Sequence, residues 1–105
     1  MSDLTDLRDR MRRFTTERNW EQFHDPKSLI LALTGEVGEL AEVFQWLPAG
    51  DARAMVRAEP TTTQARDELA DVLLYLVRLA DVLDVDLHAA ALEKMSKNAV
   101  KHPPP

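Results

Sequence analysis

Apolar residues recur along the chain at steps of three and four, which is the spacing of one helix face. The first such series predicts a helix over about residues 3–18 and comprises Leu4, Leu7, Met11 and Phe14. A second series begins after Asp25 and Pro26, a pair typical of a helix N-terminus, and runs to about residue 46, where Pro48 and Gly50 end it. Two amphipathic helices are therefore predicted in the first half of the chain.

The second half of the chain carries further helical patterns. A short helix is predicted within residues 51–59, and Pro60 with the three threonines after it predicts a new helix over about 63–83, with hydroxyl caps available. The stretch from Val72 to Val77 is apolar on every side, and a helix of that kind has to be buried nearly all round. Asp86 is positioned to cap a last helix, which the prolines from Pro103 onward end.

These patterns predict an all-α chain that folds as a four-helix bundle, in a single domain spanning residues 1–105. A bundle of four helices in one monomer has no second apolar surface on which the third long helix can pack. We therefore expect that helix at a subunit interface of a symmetric homo-oligomer.

Composition and charge restrict the ligands and the location to be expected. The 105 residues carry a net charge of −5 and include no cysteine, which fits a reducing interior. A chain this acidic lacks the basic surface that holds a nucleic acid polymer, whereas a single nucleotide remains compatible because bound metal ions reverse local charge. Without a basic and apolar leader or an apolar run of about 18 residues, we expect a cytoplasmic protein with no membrane contact.

Two acidic pairs carry the strongest chemical signal in the sequence. Glu36 and Glu39 lie on the second predicted helix, and Glu68 and Asp71 lie on the third. The i, i+3 spacing places each pair on one helix face, so two adjacent helices would direct four carboxylates at one point. Carboxylate oxygens are the ligands that Mg²⁺ prefers when it binds phosphates, although solvated surface acids are the commoner explanation of such spacing.

Three features favour a ligand site over a solvated surface. Both acidic pairs stand beside apolar residues, and like charges near a core need a reason. Gly35 and Gly38 lie inside the second helix, where each costs about 1 kcal/mol relative to alanine, which indicates close approach by another helix or a ligand. Glu42 and Asp67 would add repulsion unless a cation were bound, and either is a candidate outer partner of a metal site.

The acidic motif resembles the signature of a known superfamily. Glu36-x-x-Glu39, followed after 28 residues by Glu68-x-x-Asp71, is similar to the pattern of the all-α NTP pyrophosphatases, which include MazG and the dimeric dUTPases. Within them the chain most resembles the MazG-like dCTP pyrophosphatases, over residues 17–24, 35–46 and 67–76 and around residues 94–98. The resemblance covers almost the whole chain apart from residues 47–63.

This resemblance implies an activity, a cofactor and an assembly. The activity is hydrolysis of a (deoxy)nucleoside triphosphate, dCTP or a modified dCTP first, to the monophosphate and pyrophosphate, as house-cleaning of the nucleotide pool. The cofactor is Mg²⁺, with Mn²⁺ as the alternative, in two or more copies held by the four carboxylates of Glu36, Glu39, Glu68 and Asp71. One of these carboxylates, with Glu39 as first candidate, takes the proton of the attacking water. The assembly is a homodimer or homotetramer.

The same resemblance indicates which residues hold the substrate. Lys94 and Asn98 are expected at the phosphates or sugar, and Tyr75 at the deoxyribose. Aromatic faces stack on bases, and the candidates for the base pocket are Trp20, Phe23, His24 and Trp46. Surface solvation is the alternative explanation for the lysine, and core packing for the aromatics. Met11 stands where the dCTP pyrophosphatases often have histidine, which puts strict cytosine selectivity in doubt.

Two other functions fit parts of the pattern. A carboxylate-bridged di-iron bundle needs Glu-x-x-His motifs on its helices. None of the predicted helices carries one, because Glu21-x-x-His24 falls in the connection between the first two helices. A non-catalytic helical module that binds a nucleotide or a partner is the second alternative, since fold alone does not establish activity. The four intact carboxylates beside a core argue against it.

Overall fold

The computed structural model describes residues 2–105, which form helices joined by short connections. The helices are α1 (Asp3–Glu17), α2 (Pro26–Phe44), α3 (Ala52–Met55), α4 (Thr61–Val82) and α5 (Leu87–Lys101), with a 3-10 turn at Glu21–Phe23. No strand occurs in this part of the chain, so the all-α prediction is confirmed. The four long helices lie where the periodicity predicts them, with ends that differ by at most two residues, and the short helix lies within the predicted segment 51–59.

Aspartate side chains begin two of the helices as expected. Asp25 accepts a hydrogen bond from the backbone N–H of Ser28 at 2.9 Å at the start of α2, and Asp86 caps α5 in the same way. The expected hydroxyl cap of α4 is wrong. The hydroxyl of Thr62 donates to the carbonyl of Val56, so it ties α4 to the preceding connection instead of satisfying an N–H of the helix.

The end of α1 turns the chain so that Trp20 leaves the helix axis. Asn19 adopts a left-handed conformation with φ of 56°, which asparagine tolerates better than most residues. The N–H of Trp20 then donates to the carbonyl of Thr15 at 3.1 Å, and that of Asn19 to Thr16 at 3.2 Å. This pair of bonds satisfies the last carbonyls of α1 and holds Trp20 at a defined position.

The core of the chain is formed where α2 and α1 pack on α4. It is small and consists of Leu29, Leu33, Ala65, Val77 and Ala80. None of the helices within residues 2–105 combines the length and apolar character that a membrane span requires.

One side of α4 is not covered by its own chain, as the pattern of residues 72–77 predicts for a single copy. Leu69, Leu73 and Leu76 are 56%, 37% and 38% exposed and lie on one face of α4. The last helix, α5, has no buried residue. The radius of gyration is 16.5 Å, against about 13 Å for a compact chain of this length. The single chain is therefore more extended than a compact domain, and apolar side chains of α4 remain exposed in it.

Candidate functional site

Three of the four carboxylates expected at one point meet between α2 and α4. The ligand oxygens of Glu36, Glu39 and Glu68 lie within 4.8 Å of one another, and these three residues are called the carboxylate cluster below. Asp71 is not within this group, although its charge is close enough to raise the pKa of Glu36 and Glu68. Glu42 and Asp67, the candidate outer partners, line a surface depression together with Glu39 and Glu68.

The carboxylate cluster lacks the hydrogen-bond donors that would stabilise its charge. Oε2 of Glu36 and Oε2 of Glu68 are buried and accept no hydrogen bond from residues 2–105. Burial raises the pKa of Glu36 to about 7, and the adjacent carboxylates of Glu68 and Glu39 add to this rise. Burial also raises the pKa of Glu68. Such a cluster is stabilised either by protons or by a bound cation.

The raised pKa of Glu36 predicts how the stability of the metal-free protein depends on pH. Its pKa of about 7 in the folded state lies above the ordinary value of 4.5, so the folded chain binds more protons between these pH values. The contribution of Glu36 to stability is therefore present at low pH and is lost as the pH rises toward 7. With a chelator present, we expect a higher melting temperature near about pH 5.5 than near about pH 7.5, and a smaller difference in Glu36→Gln. An unchanged difference in Glu36→Gln would contradict the origin assigned to this effect.

An aromatic cavity of about 240 Å³ lies beside the carboxylate cluster. It is lined by Trp20, Phe23, His24, Ser28, Leu29, Ala32 and Tyr75, and is called the aromatic cavity below. Four of the residues expected to bind substrate therefore share one cavity. Ala32 precedes Glu36 by four residues and Tyr75 follows Asp71 by four, so cavity and acids are ~6 Å apart along both helices. The two helices run antiparallel, since Glu36 follows Ala32 on α2 whereas Glu68, which meets Glu36, precedes Tyr75 by seven residues on α4.

Contacts from α1 hold Trp20 at the aromatic cavity. The Trp20 ring meets the ring of Phe14 edge to face with centroids 5.7 Å apart, and the guanidinium of Arg18 lies 3.5 Å from the centre of the Phe14 ring. Trp20 is still 44% exposed, so one part of its surface remains available to a ligand. Its position therefore combines packing against Phe14 with an exposed surface.

Three of the expected substrate residues are not beside the cavity of their own chain. Trp46 lies beyond the end of α2 and is 86% exposed. Lys94 and Asn98 are exposed on α5. None of the three lines the aromatic cavity. Lys94 and Asn98 lie on α5, which buries no residue, and Trp46 follows the end of α2.

The sequence analysis does not include Arg78, the most buried charged residue of this region, among the candidate site residues. It is 8% exposed on α4, donates from Nε to Nδ1 of His24 at 3.0 Å, and pairs with Asp81 at 3.0 Å. A signal was present, because arginine interrupts an apolar run and an aspartate follows three residues later on the same face. The partner in the aromatic cavity could not be read from this spacing.

Open space flanks the two glycines of α2. An added methyl group at Gly35 or Gly38 would meet no atom within 4 Å, so the close approach of another helix is wrong within this chain. The ligand alternative stays open for Gly35, which follows Ala32 by three residues and precedes Glu39 by four. It therefore lies on the surface of α2 that joins the aromatic cavity to the carboxylate cluster.

Alanine substitutions at these glycines test this position. Gly35→Ala and Gly38→Ala should each stabilise the free chain by about 1 kcal/mol, because alanine is the better helix former and both sites have room. Only Gly35→Ala should lower kcat/KM, since Gly38 lies about 120° around the helix from Ala32. Melting curves and steady-state rates measure the two effects. Equal rates for the two variants would exclude a ligand path over Gly35.

Comparison with known proteins places this chain in a family. The sequence model of the MazG-like family matches residues 32–105. dCTP pyrophosphatase 1 from Homo sapiens is 47% identical over 100 residues, and the Mus musculus protein of that name is 48% identical over 102. Each match covers 95% of this chain and 59% of the relative, so the chain spans about three fifths of these relatives.

A solved structure agrees with this result. The crystal structure of a pyrophosphatase from Archaeoglobus fulgidus superimposes with a TM-score of 0.89 and 36% sequence identity, over 99% of this chain and 95% of that one. The resemblance noted in the acidic motif is thereby confirmed, and the helices carry it throughout the chain. The chain belongs to the MazG-like family.

Proposed function

We propose that this chain hydrolyses a (deoxy)nucleoside triphosphate between its α- and β-phosphates and releases the monophosphate and pyrophosphate. The observation that carries the proposal is the carboxylate cluster, with two buried oxygens that lack donors, one helical turn from an aromatic cavity. The cavity suits a base and the cluster suits metal-bound phosphates. The names of the relatives, dCTP pyrophosphatase 1 and an archaeal pyrophosphatase, support the same reaction.

The carboxylate cluster fits a hard divalent cation. Oε2 of Glu36 and Oε2 of Glu68 have no donor, and oxygen atoms in this state are suited to ligate Mg²⁺ or Mn²⁺. Glu39 completes the set, and Asp71 on the next turn of α4 is the fourth candidate ligand. When bound, the metal neutralises phosphate charge and lowers the pKa of a water molecule.

The remaining roles follow from exposure and position. Glu39 is more exposed than Glu36 and Glu68, so it is the carboxylate that solvent reaches and the candidate acceptor of the proton of the attacking water. Trp20 and Phe23 offer faces on which a base can stack. Tyr75, between cavity and cluster on α4, is placed to line the sugar.

The proposed active form is a homo-oligomer, with a dimer as the minimum and a tetramer as the alternative. The exposed face of Leu69, Leu73 and Leu76 and the bare helix α5 support association with a second copy. Association also offers a route by which Trp46, Lys94 and Asn98 reach a substrate, because their own chain leaves them away from the aromatic cavity.

Pyrophosphate release from a panel of common and modified deoxynucleoside triphosphates tests the proposed reaction. With Mg²⁺ we expect turnover of dCTP first, with leakage to other bases, because stacking tolerates any base and Met11 supplies no hydrogen-bond donor. A chelator should abolish turnover and Mn²⁺ should restore it. A purine preference would overturn the proposed base, and binding without turnover would favour the non-catalytic module.

A further inference from the structure

The arginine behind the aromatic cavity is held from two sides. Nη1 of Arg78 pairs with Oδ2 of Asp81 at 3.0 Å, and the other oxygen of Asp81 pairs with Nη2 of Arg12 at 2.5 Å. The side chains of Arg78 and Asp81 are each 9% exposed. The guanidinium of Arg78 therefore has a fixed position, from which Nε donates to Nδ1 of His24 at 3.0 Å.

This hydrogen bond determines which nitrogen of His24 carries the proton. Arginine has only donors, so Nδ1 has to be the acceptor, and the neutral imidazole carries its single proton on Nε2. Burial and then the charge of Arg78 lower the pKa of His24, which keeps the ring neutral. Within residues 2–105, Nε2–H has no hydrogen-bond partner, and His24 lines the aromatic cavity. The cavity thus holds a donor that nothing in this chain satisfies.

We propose that Nε2–H of His24 donates a hydrogen bond to the edge of the ligand's base, and that Arg78 is the positioning residue that fixes this tautomer. The ligand it selects is a planar heterocycle with a carbonyl oxygen or an unprotonated ring nitrogen at that edge, as in a pyrimidine. A ligand with a donor there would leave two donors facing each other, which is costly in a partly buried site. This inference rests on the proposed function, because it assigns the base to the aromatic cavity.

Two substitutions of His24 separate donation from packing. In His24→Asn the amide reaches the position of Nδ1, where its oxygen can accept from Arg78, but nothing remains at the position of Nε2. In His24→Gln the longer side chain brings an amide N–H donor to that position. For 2′-deoxycytidine as the probe, we expect His24→Gln to bind within about threefold of the wild-type protein and His24→Asn to bind roughly tenfold more weakly. Equal affinities for the two variants would overturn the proposal.

Substitutions of the arginines test the positioning role. Arg78→Met removes the donor to Nδ1 at similar length. Because it leaves part of the population with the proton on Nε2, it should weaken 2′-deoxycytidine binding by about twofold, less than His24→Asn does, and Arg78→Lys, which keeps a donor, should recover part of this loss. Arg12→Gln is the matched control, because it removes the other partner of Asp81 without a contact to His24. A loss of affinity in Arg12→Gln as large as in Arg78→Met would mean that the network of Arg12, Asp81 and Arg78 affects binding only by stabilising the fold.

Nitrogen NMR of the full chain labelled with ¹⁵N-histidine reads the tautomer directly. In the wild-type protein we expect a protonated Nε2 and an unprotonated Nδ1 at His24, and in Arg78→Met a mixture of both tautomers. A tautomer unchanged in Arg78→Met, or a wild-type protein that fails to bind 2′-deoxycytidine at millimolar concentration, would overturn the proposal. Because 2′-deoxycytidine has no phosphate, its binding can be measured even in a protein that hydrolyses no triphosphate. Failure of the proposed function can therefore be distinguished from failure of this inference.

Discussion

Glu36→Gln and Glu39→Gln should each lower kcat by at least about a hundredfold while the protein stays folded. Glutamine keeps the size of the side chain but removes one charged metal ligand from a cluster whose oxygens lie within 4.8 Å of one another. Loss of a charge also relieves the repulsion that raises the pKa of Glu36, so the melting temperature should stay equal or rise. Pyrophosphate release and thermal melting, measured on the same preparations, separate loss of chemistry from loss of fold.

Two further variants set the scale of this experiment. Glu17→Gln, an exposed acid on α1, should leave kcat unchanged and controls for the loss of one negative charge. Asp71→Asn should lower kcat less than Glu36→Gln or Glu39→Gln does, because the Asp71 carboxylate lies outside the closest group. Near-normal turnover in both Glu36→Gln and Glu39→Gln would show that the carboxylate cluster does not hold the catalytic metal.

Leu73→Glu should dissociate the assembly that the wild-type protein forms at micromolar concentration. Leu73 is 37% exposed in the single chain, which leaves room for a polar side chain, but its face of α4 is the surface assigned to the subunit contact. An unpaired carboxylate in an apolar interface costs several kcal/mol, enough to shift the dissociation constant by more than a thousandfold. Sedimentation velocity over a range of concentrations measures the shift.

The control for this variant adds the same charge at an exposed position of α1. Thr16→Glu should leave the assembly intact, because Thr16 is exposed on α1 and does not belong to the apolar face of α4. A folded wild-type monomer at micromolar concentration would show that the interface assigned to α4 is wrong. A Leu73→Glu protein that sediments like the wild type would place the subunit contact elsewhere.

Local rules predicted most of the helices because the signals that form them are local. The apolar period, the Asp25-Pro26 start and the Asp86 cap act within a few residues, and each is found where it was expected. The acidic pairs were recognisable for the same reason, since i, i+3 spacing fixes a shared face. Spacing does not fix a shared point, however. Residues three apart differ by about 60° around the axis and by ~4.5 Å along it, and the same spacing brings Glu39 to Glu36 and Glu68 but leaves Asp71 outside the group.

The contacts that could not be predicted from the sequence depend on how the helices approach one another. The bond from Arg78 to His24 joins residues 54 positions apart, and the arginine alone looked like an interruption of an apolar run. Substrate binding could not be separated from surface solvation for Lys94 or from core packing for Trp46, and the single chain exposes both residues. For Gly35 the sequence could not separate the approach of a helix from that of a ligand, and within this chain no helix approaches it. In each case the missing information was the path of a second helix or a second chain.

Hydrolysis of dCTP in ¹⁸O-labelled water, analysed by mass spectrometry, tests the proposed reaction at the carboxylate cluster. With Mg²⁺ present, we expect one ¹⁸O atom in dCMP and none in pyrophosphate, because water attacks the α-phosphorus, and no labelled product from Glu36→Gln or in the presence of a chelator. Label in pyrophosphate, release of orthophosphate, or undiminished labelling of dCMP by Glu36→Gln would contradict it.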